Sequence, residues 1–536
     1  MDARAGRTNG RPSEGRSACV SAFPRVAKTL EHPGSKQFHR NRRPVIAELF
    51  EDALRPFPTA SANGTMAQAR PIAGTGGTTH DDLRQTAAAL APRRARRGGK
   101  LRISLARLDS LALWLFVFAG AFVLIEPSLY ELLFPLALVT ALLIGFRIPA
   151  SAAPMLGLLT LFNIGGAVSL MPYLNESRSV LFIVISIYLA MTSVFFASVL
   201  TQAPLRRLET IRSALIWSAW PAGIAGLLGY FDIAGLGGIF TVYGRASGTF
   251  KDPNVMGPYM VLPIVYIVQG LIERRTGILK TILLLSVPLL ALFLSFSRGA
   301  WADLVGALGL LFALSFITGA TLAQRRMMIF YALGCVAILL VMLGVALSID
   351  GVREIFTMRA SLSQDYDEGA TGRFGNQLRS IPLLLEHVNG LGPLRFHVYF
   401  DADPHSVYIN AFASYGWLGG LSYVTLIAAT WVVAWRTVFR RGPLQPHAIA
   451  VWSALIVITI QGFQIDTDHW RQFYLMLGLI WGIAAASKAH AKADSSVKDI
   501  PPPLPVPSRQ AAITHQPGSH QTHRLGYARK QLDKLQ

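Results

Sequence analysis

Long apolar runs, broken by short polar punctuation, fill the chain from residue 108 to residue 486. A helix needs roughly 20 apolar residues to cross a bilayer core. Twelve stretches meet or approach that length, near 108–125, 128–146, 152–171, 179–200, 209–229, 254–272, 277–296, 300–319, 327–348, 415–435, 447–465 and 470–486. The third is interrupted by FNIGGAVS, which makes it the weakest of the set. A single long connection, 349–404, is left over. The pattern predicts an all-α, polytopic membrane protein with about 12 transmembrane helices and one long loop.

Lys and Arg in the short loops set the orientation. The block RRARRGGKLR precedes the first apolar run and puts the N-terminus in the cytoplasm. Alternate loops then carry Arg147; Arg206, Arg207 and Arg212; Arg274, Arg275 and Lys280; Arg325 and Arg326; and Arg436, Arg440 and Arg441. All fall on the side of the N-terminus, and twelve crossings return the C-terminus there too. Residues 230–253, SFSRGAW and the 349–404 loop then lie on the outer face.

Composition supports the membrane reading, with 52% hydrophobic but only 15% charged residues, where a soluble domain carries about a quarter charged. The pI of about 10.3 belongs mainly to the tails. Residues 1–107 hold 20 Lys and Arg against 8 Asp and Glu, and 487–536 hold 8 against 3. Both tails are low in apolar periodicity and are expected to be disordered and cytoplasmic; neither implies nucleic-acid binding. The first tail has no signal-peptide core, and Met66 is a candidate second start. With Cys19 and Cys335 alone, no disulfide framework or cysteine metal site is available.

The outer face carries the candidate chemistry. In YGRASGTFKDPNVMGPYM, Asp252-Pro253 reads as an N-cap followed by the first helical position, with Arg245 and Lys251 just before it. A helix N-terminus beside a guanidinium suits an anion, and Gly248 lets the turn approach a ligand closely; an ordinary capped loop is the plainer alternative. Arg298 in SFSRGAW either snorkels to headgroups or serves the same anion, and Trp301 reads as an interfacial anchor. The long loop holds Arg373 between two glycines and ends on DADPHSVYINAFASYGWLGG. Asp403-Pro404 repeats the cap arrangement, which predicts His405 in a first helical turn with Tyr408 and Phe412 on its face. Histidine exchanges protons near neutral pH. The cluster DTDHWRQ, Asp466–Gln472, matches no strong metal pattern and reads as an interfacial loop. Asp303 and Asp232 are candidate partners for an arginine. No phosphate-binding P-loop and no His-Glu-x-x-His pair occur.

RASGTFKDPNVMGPYM, SFSRGAW, TGR and PHSVYINAFASYGWLGG, in that order, resemble the O-antigen ligase and O-antigen polymerase superfamily of bacterial envelope proteins. The resemblance covers about 209–486 and neither tail. It implies a GT-C-like membrane glycosyltransferase in the inner membrane, with 349–404 as a periplasmic loop. Such an enzyme takes a glycan from undecaprenyl pyrophosphate and passes it to the lipid A core or to a growing polysaccharide, without metal, cofactor or ATP. It would meet membrane lipids and no nucleic acid. Carried over, Arg245 matches the arginine of an R-x-x-G motif, Arg298 that of S-R-G, His405 the histidine ending the outer loop, and Arg373 a frequent Gly-Arg pair. Ser406 departs from the Asn that often follows that histidine. The implied roles are pyrophosphate binding by Arg245, Arg298, Arg373 and Lys251, and catalysis by Arg298 and His405, with Gly248, Asn254 and Tyr408 in support. Bicarbonate-transporter-like proteins share this domain, so an anion transporter is the alternative.

Overall fold

The computed structural model describes residues 104–319, 321–360, 369, 372–400 and 402–498, all within one unit, Gly99–Gln536. The expected disordered N-terminal tail therefore lies outside the described residues as far as residue 103, as does the C-terminal tail beyond residue 498.

Each of the twelve apolar runs coincides with one helix. In chain order these are α1 (Leu105–Ala119), α2 (Leu129–Ile144), α3 (Ala153–Leu170), α4 (Ser177–Val199), α5 (Pro204–Tyr230), α6 (Pro253–Ile272), α7 (Ile278–Leu294), α8 (Arg298–Thr318) and α9 (Leu322–Leu347). The long connection contributes α10 (Asp350–Ala360) and α11 (Arg373–Glu386), and the last three runs are α12 (Val407–Val438), α13 (Gln445–Gln461) and α14 (Arg471–Lys498). Seven of these, α3 with its flanking turns, α4, α5, α6, α8, α9 and α12, are long and apolar enough to cross a membrane, while α2, α7 and α13 are shorter apolar helices. Helices suit that setting because every backbone N–H and C=O is satisfied within the segment.

Local signals start the helices. Ser128 and Glu131 form a capping box at α2, and Thr321 and Gln324 another at α9. Asp252 caps α6 as its sequence predicts, its Oδ1 accepting from the N–H of Asn254 at 2.7 Å. The doubtful third run is helical because its glycines are packing surface. Gly165 and Gly166 lie against Tyr415 and Gly419 of α12, and Phe162 stacks on Tyr415 with ring centroids 3.9 Å apart. Small residues that let two helices approach closely are the usual adhesive between membrane helices.

One boundary changes: the C-terminal tail does not begin at residue 487, since α14 runs on to Lys498. The helix α12 is not one continuous rod. At Gly416 the backbone takes φ 66° and ψ −172°, a conformation open almost only to glycine, and the helix breaks there against the chain around Asn389.

Candidate functional site

Arg245 is delivered by the smallest of devices. Thr241–Val242 and Arg245–Ala246 form a two-stranded antiparallel hairpin, β1 and β2, with Val242 opposite Arg245. The two turn residues, Tyr243 and Gly244, both have positive φ, as a two-residue turn matched to strand twist requires. Arg245 is buried. Its Nε donates to the carbonyl of Ser295 at 2.7 Å and one terminal nitrogen to Oδ1 of Asn254 at 2.7 Å. The arginine thus ties the start of α6 to the turn that leads into α8.

Arg298 opens α8, with Ser297 as N-cap accepting from Ala300. Arg373 opens α11 and reaches the carbonyl of Gln464 at 3.5 Å. Together with Arg245, Asn254 and His405, these two arginines line one cavity of about 280 Å³. It lies among the N-termini of α6, α8 and α11, the segment before α12, and the C-terminal end of α13, where Gln461 forms part of the wall. Residues that lie far apart along the chain are therefore gathered at one end of the helix assembly.

Two further side chains of the cavity wall carry weight. Arg359 comes from the last turn of α10. That helix is seated by Phe356, whose ring stacks on Trp301 at 5.3 Å and on Phe293 at 5.9 Å. Trp301 is held in turn by an indole N–H to the carbonyl of Phe293 at 3.3 Å, so it packs under α10. A pattern in the sequence does mark Arg359, because Val352, Phe356 and Arg359 follow at helical spacing on one face. The other is Asp466, from the α13–α14 connection. Burial pushes its carboxyl up to about 8, and the neighbouring charges of Asp468 and Asp403 act in the same direction. Asp468, fully buried behind it, accepts from the amide of Asn410 at 3.1 Å and lies 3.2 Å from Nδ1 of His469.

His405 reaches the cavity by a different local structure from the one its sequence suggests. Asp403-Pro404 does not start a helix; α12 begins at Val407 with Ser406 as its N-cap. His405 itself adopts a left-handed φ of 45°, which costs a non-glycine residue about 1–2 kcal/mol. Tertiary hydrogen bonds take up the groups that a first turn would have used. Val407 N donates to the carbonyls of Gly462 at 2.9 Å and Ile465 at 3.3 Å, and the amide of Gln377 donates to those of Pro404 and His405.

Three other site residues are placed elsewhere. Lys251 pairs with Glu126 at 2.8 Å and is not part of the cavity wall; an acidic neighbour in space, invisible in the local pattern, claims it. Gly248 does adopt positive φ, but what it approaches closely is α5, since a Cβ there would stand 2.4 Å from the carbonyl of Ala222. Tyr408 turns toward α13, donating to the carbonyl of Thr459 at 2.7 Å with its ring against Phe463. Asp232 caps a turn through Gly237 N at 2.9 Å. Neither it nor the buried Asp303 forms an ion pair among the described residues. Among the described residues, no three His, Cys, Asp or Glu side chains are grouped so as to hold a metal.

No family model matches the chain, and no curated protein matches it either.

Proposed function

We propose that this cavity is a glycosyl-transfer site, in which a glycan passes from undecaprenyl pyrophosphate to the hydroxyl of an acceptor, in the assembly of O-antigen or exopolysaccharide. On this reading the chain crosses the inner membrane twelve times in a GT-C-like arrangement, with both tails in the cytoplasm and the cavity at the periplasmic face. The observation that carries the reading is the meeting of Arg245, Arg298, Arg373 and His405 in one cavity of about 280 Å³. Arg359 adds a fourth guanidinium to the same wall.

The chemistry follows from the side chains. Guanidinium groups stay charged and present planar forks of donors suited to phosphate oxygens. Arg298, Arg359 and Arg373 would hold the diphosphate, with Arg245 fixing the floor beneath it. The acceptor oxygen attacks the anomeric carbon as the bond from that carbon to the phosphate oxygen breaks. The bonding pair leaves with the diphosphate, whose growing charge the arginines stabilise. His405 accepts the hydroxyl proton and later releases it to water. Attack from the face opposite the leaving group inverts the anomeric centre. The acceptor is the lipid A core for a ligase and the growing chain for a polymerase.

The test uses full-length protein in liposomes with undecaprenyl-pyrophosphate glycan and a candidate acceptor. His405→Ala should abolish transfer while donor binding persists, and transfer by the wild type should survive excess chelator. Near-normal turnover by His405→Ala would remove the base from this mechanism. A reporter active only in the cytoplasm, inserted at Gly369, should stay silent; activity there would overturn the topology.

A further inference from the structure

The segment that carries His405 is held from two sides. On one side Val407 N is bound by carbonyls of the α13–α14 connection. On the other, Nε2 of Gln377 lies 3.0 Å from the carbonyl oxygen of Pro404 and 3.2 Å from that of His405. A primary amide nitrogen carries two hydrogens, and here each has a carbonyl, one on either side of the Cα of His405. That is the residue with the left-handed φ of 45°. Conformations of this kind persist only where the surroundings over-determine them, and they cluster at functional sites.

Gln377 sits one helical turn after Arg373 on α11, so the two side chains project from the same face. One short helix thereby delivers an arginine to the cavity and grips the backbone of the histidine across from it. The neighbouring residue adds to the grip, because Asn376 Nδ2 reaches the carbonyl of Phe400 at 3.4 Å.

We infer that Gln377 is a positioning residue, its two N–H groups holding the left-handed backbone at His405 so that the imidazole enters the cavity beside Arg373. The inference rests on the glycosyl-transfer reading for its catalytic consequence, but the position of the ring can be measured without any substrate.

The experiment uses the full chain in lipid nanodiscs with carbon-13-labelled histidine. The protein has 12 histidines, and the His405 resonance is the one lost in His405→Gln. Gln377→Met keeps the length of the side chain and removes both donors. It should move the His405 resonance and lower kcat for transfer about 10- to 100-fold, the effect of one or two lost hydrogen bonds, with KM for the donor changed less than about threefold. Gln377→Lys restores donors and should return both the resonance and most of kcat. Leu378→Ala, at the exposed next position, should change neither. If Gln377→Met does not fold, Gln377→Leu is the second donor-free variant. An unmoved His405 resonance in a folded donor-free variant overturns the inference, as does an equal loss in Gln377→Lys. A resonance that moves in a protein whose wild type transfers no glycan supports the positional link and removes the reaction instead.

Discussion

Two helices of this protein mark its extremes. In α6, 94% of the most apolar stretch is buried against other parts of the chain; in α9 the figure is 6%. Yet α9 is the more apolar of the two. In water that order would be paradoxical, because apolar surface is what folding hides. In a bilayer lipid tails are as apolar as leucine, so burial follows from close packing and polar contact. The contents of α6 fit this account. It carries Pro258, Pro263, Gly257, Gly270 and Gln269, and its first turn supplies Asn254 to the cavity. In α9, Leu333, Leu340, Val341 and Val345 all point outward, and none of its residues lines the cavity.

The contrast predicts that substitutions grade in effect from the cavity end of α6, through its body, to α9. The largest change is expected next to the first turn of α6, at Arg298. Arg298→Lys keeps the charge but loses the fork, and transfer should fall about 100- to 1000-fold. A lysine variant with wild-type turnover would break the link between the arginine fork in this cavity and the chemistry. Next comes Gly257→Ala in the body of α6. Its Cβ would meet that of Ala300 at 2.6 Å and Oγ of Ser295 at 2.8 Å. Overpacking of this kind costs about 1–3 kcal/mol, read as a lower unfolding temperature in detergent. The twin substitution in α9, Gly334→Ala, meets nothing within 4 Å. It should shift stability by less than about 1 kcal/mol, and a large loss there would mean that α9 packs on something rigid.

Asp466 gives a subtler test, through pH. Its carboxyl keeps a proton in the folded protein up to about 8, whereas the unfolded chain releases it near 4. The folded state therefore binds more protons between these values, and this residue's contribution to stability falls as pH rises through that window. Asp466→Asn should flatten the fall, being relatively more stable than wild type at pH 8 than at pH 5. An unchanged slope would place the titration elsewhere.

How far could the chain be read without its structure? All twelve apolar runs are helices, and Asp252-Pro253 starts α6 as its chemistry dictates. These features are local. Arg245, Arg298, Arg373, Asn254 and His405, each marked by its local sequence, share a cavity. Two of the differences share one cause, a partner distant in sequence. The cap signal at Asp403-Pro404 lost to hydrogen bonds from Gln377 and to Gly462 and Ile465, which are distant in sequence. Lys251 was claimed by Glu126 from another loop. Arg359 differs, because the helical face of α10 that carries it is local and lies inside the long connection.

Arg245 also bears on how this protein can be altered. The same guanidinium that borders the cavity ties Ser295 to Asn254, so it is a fastener as well as a wall. A change there is pleiotropic, disturbing architecture and cavity wall together, and selection cannot adjust one without the other. Arg359 and Arg373 sit on helices of the long connection, so variation between related chains in the ligand they accept should gather on α10 and α11 while the hairpin stays fixed.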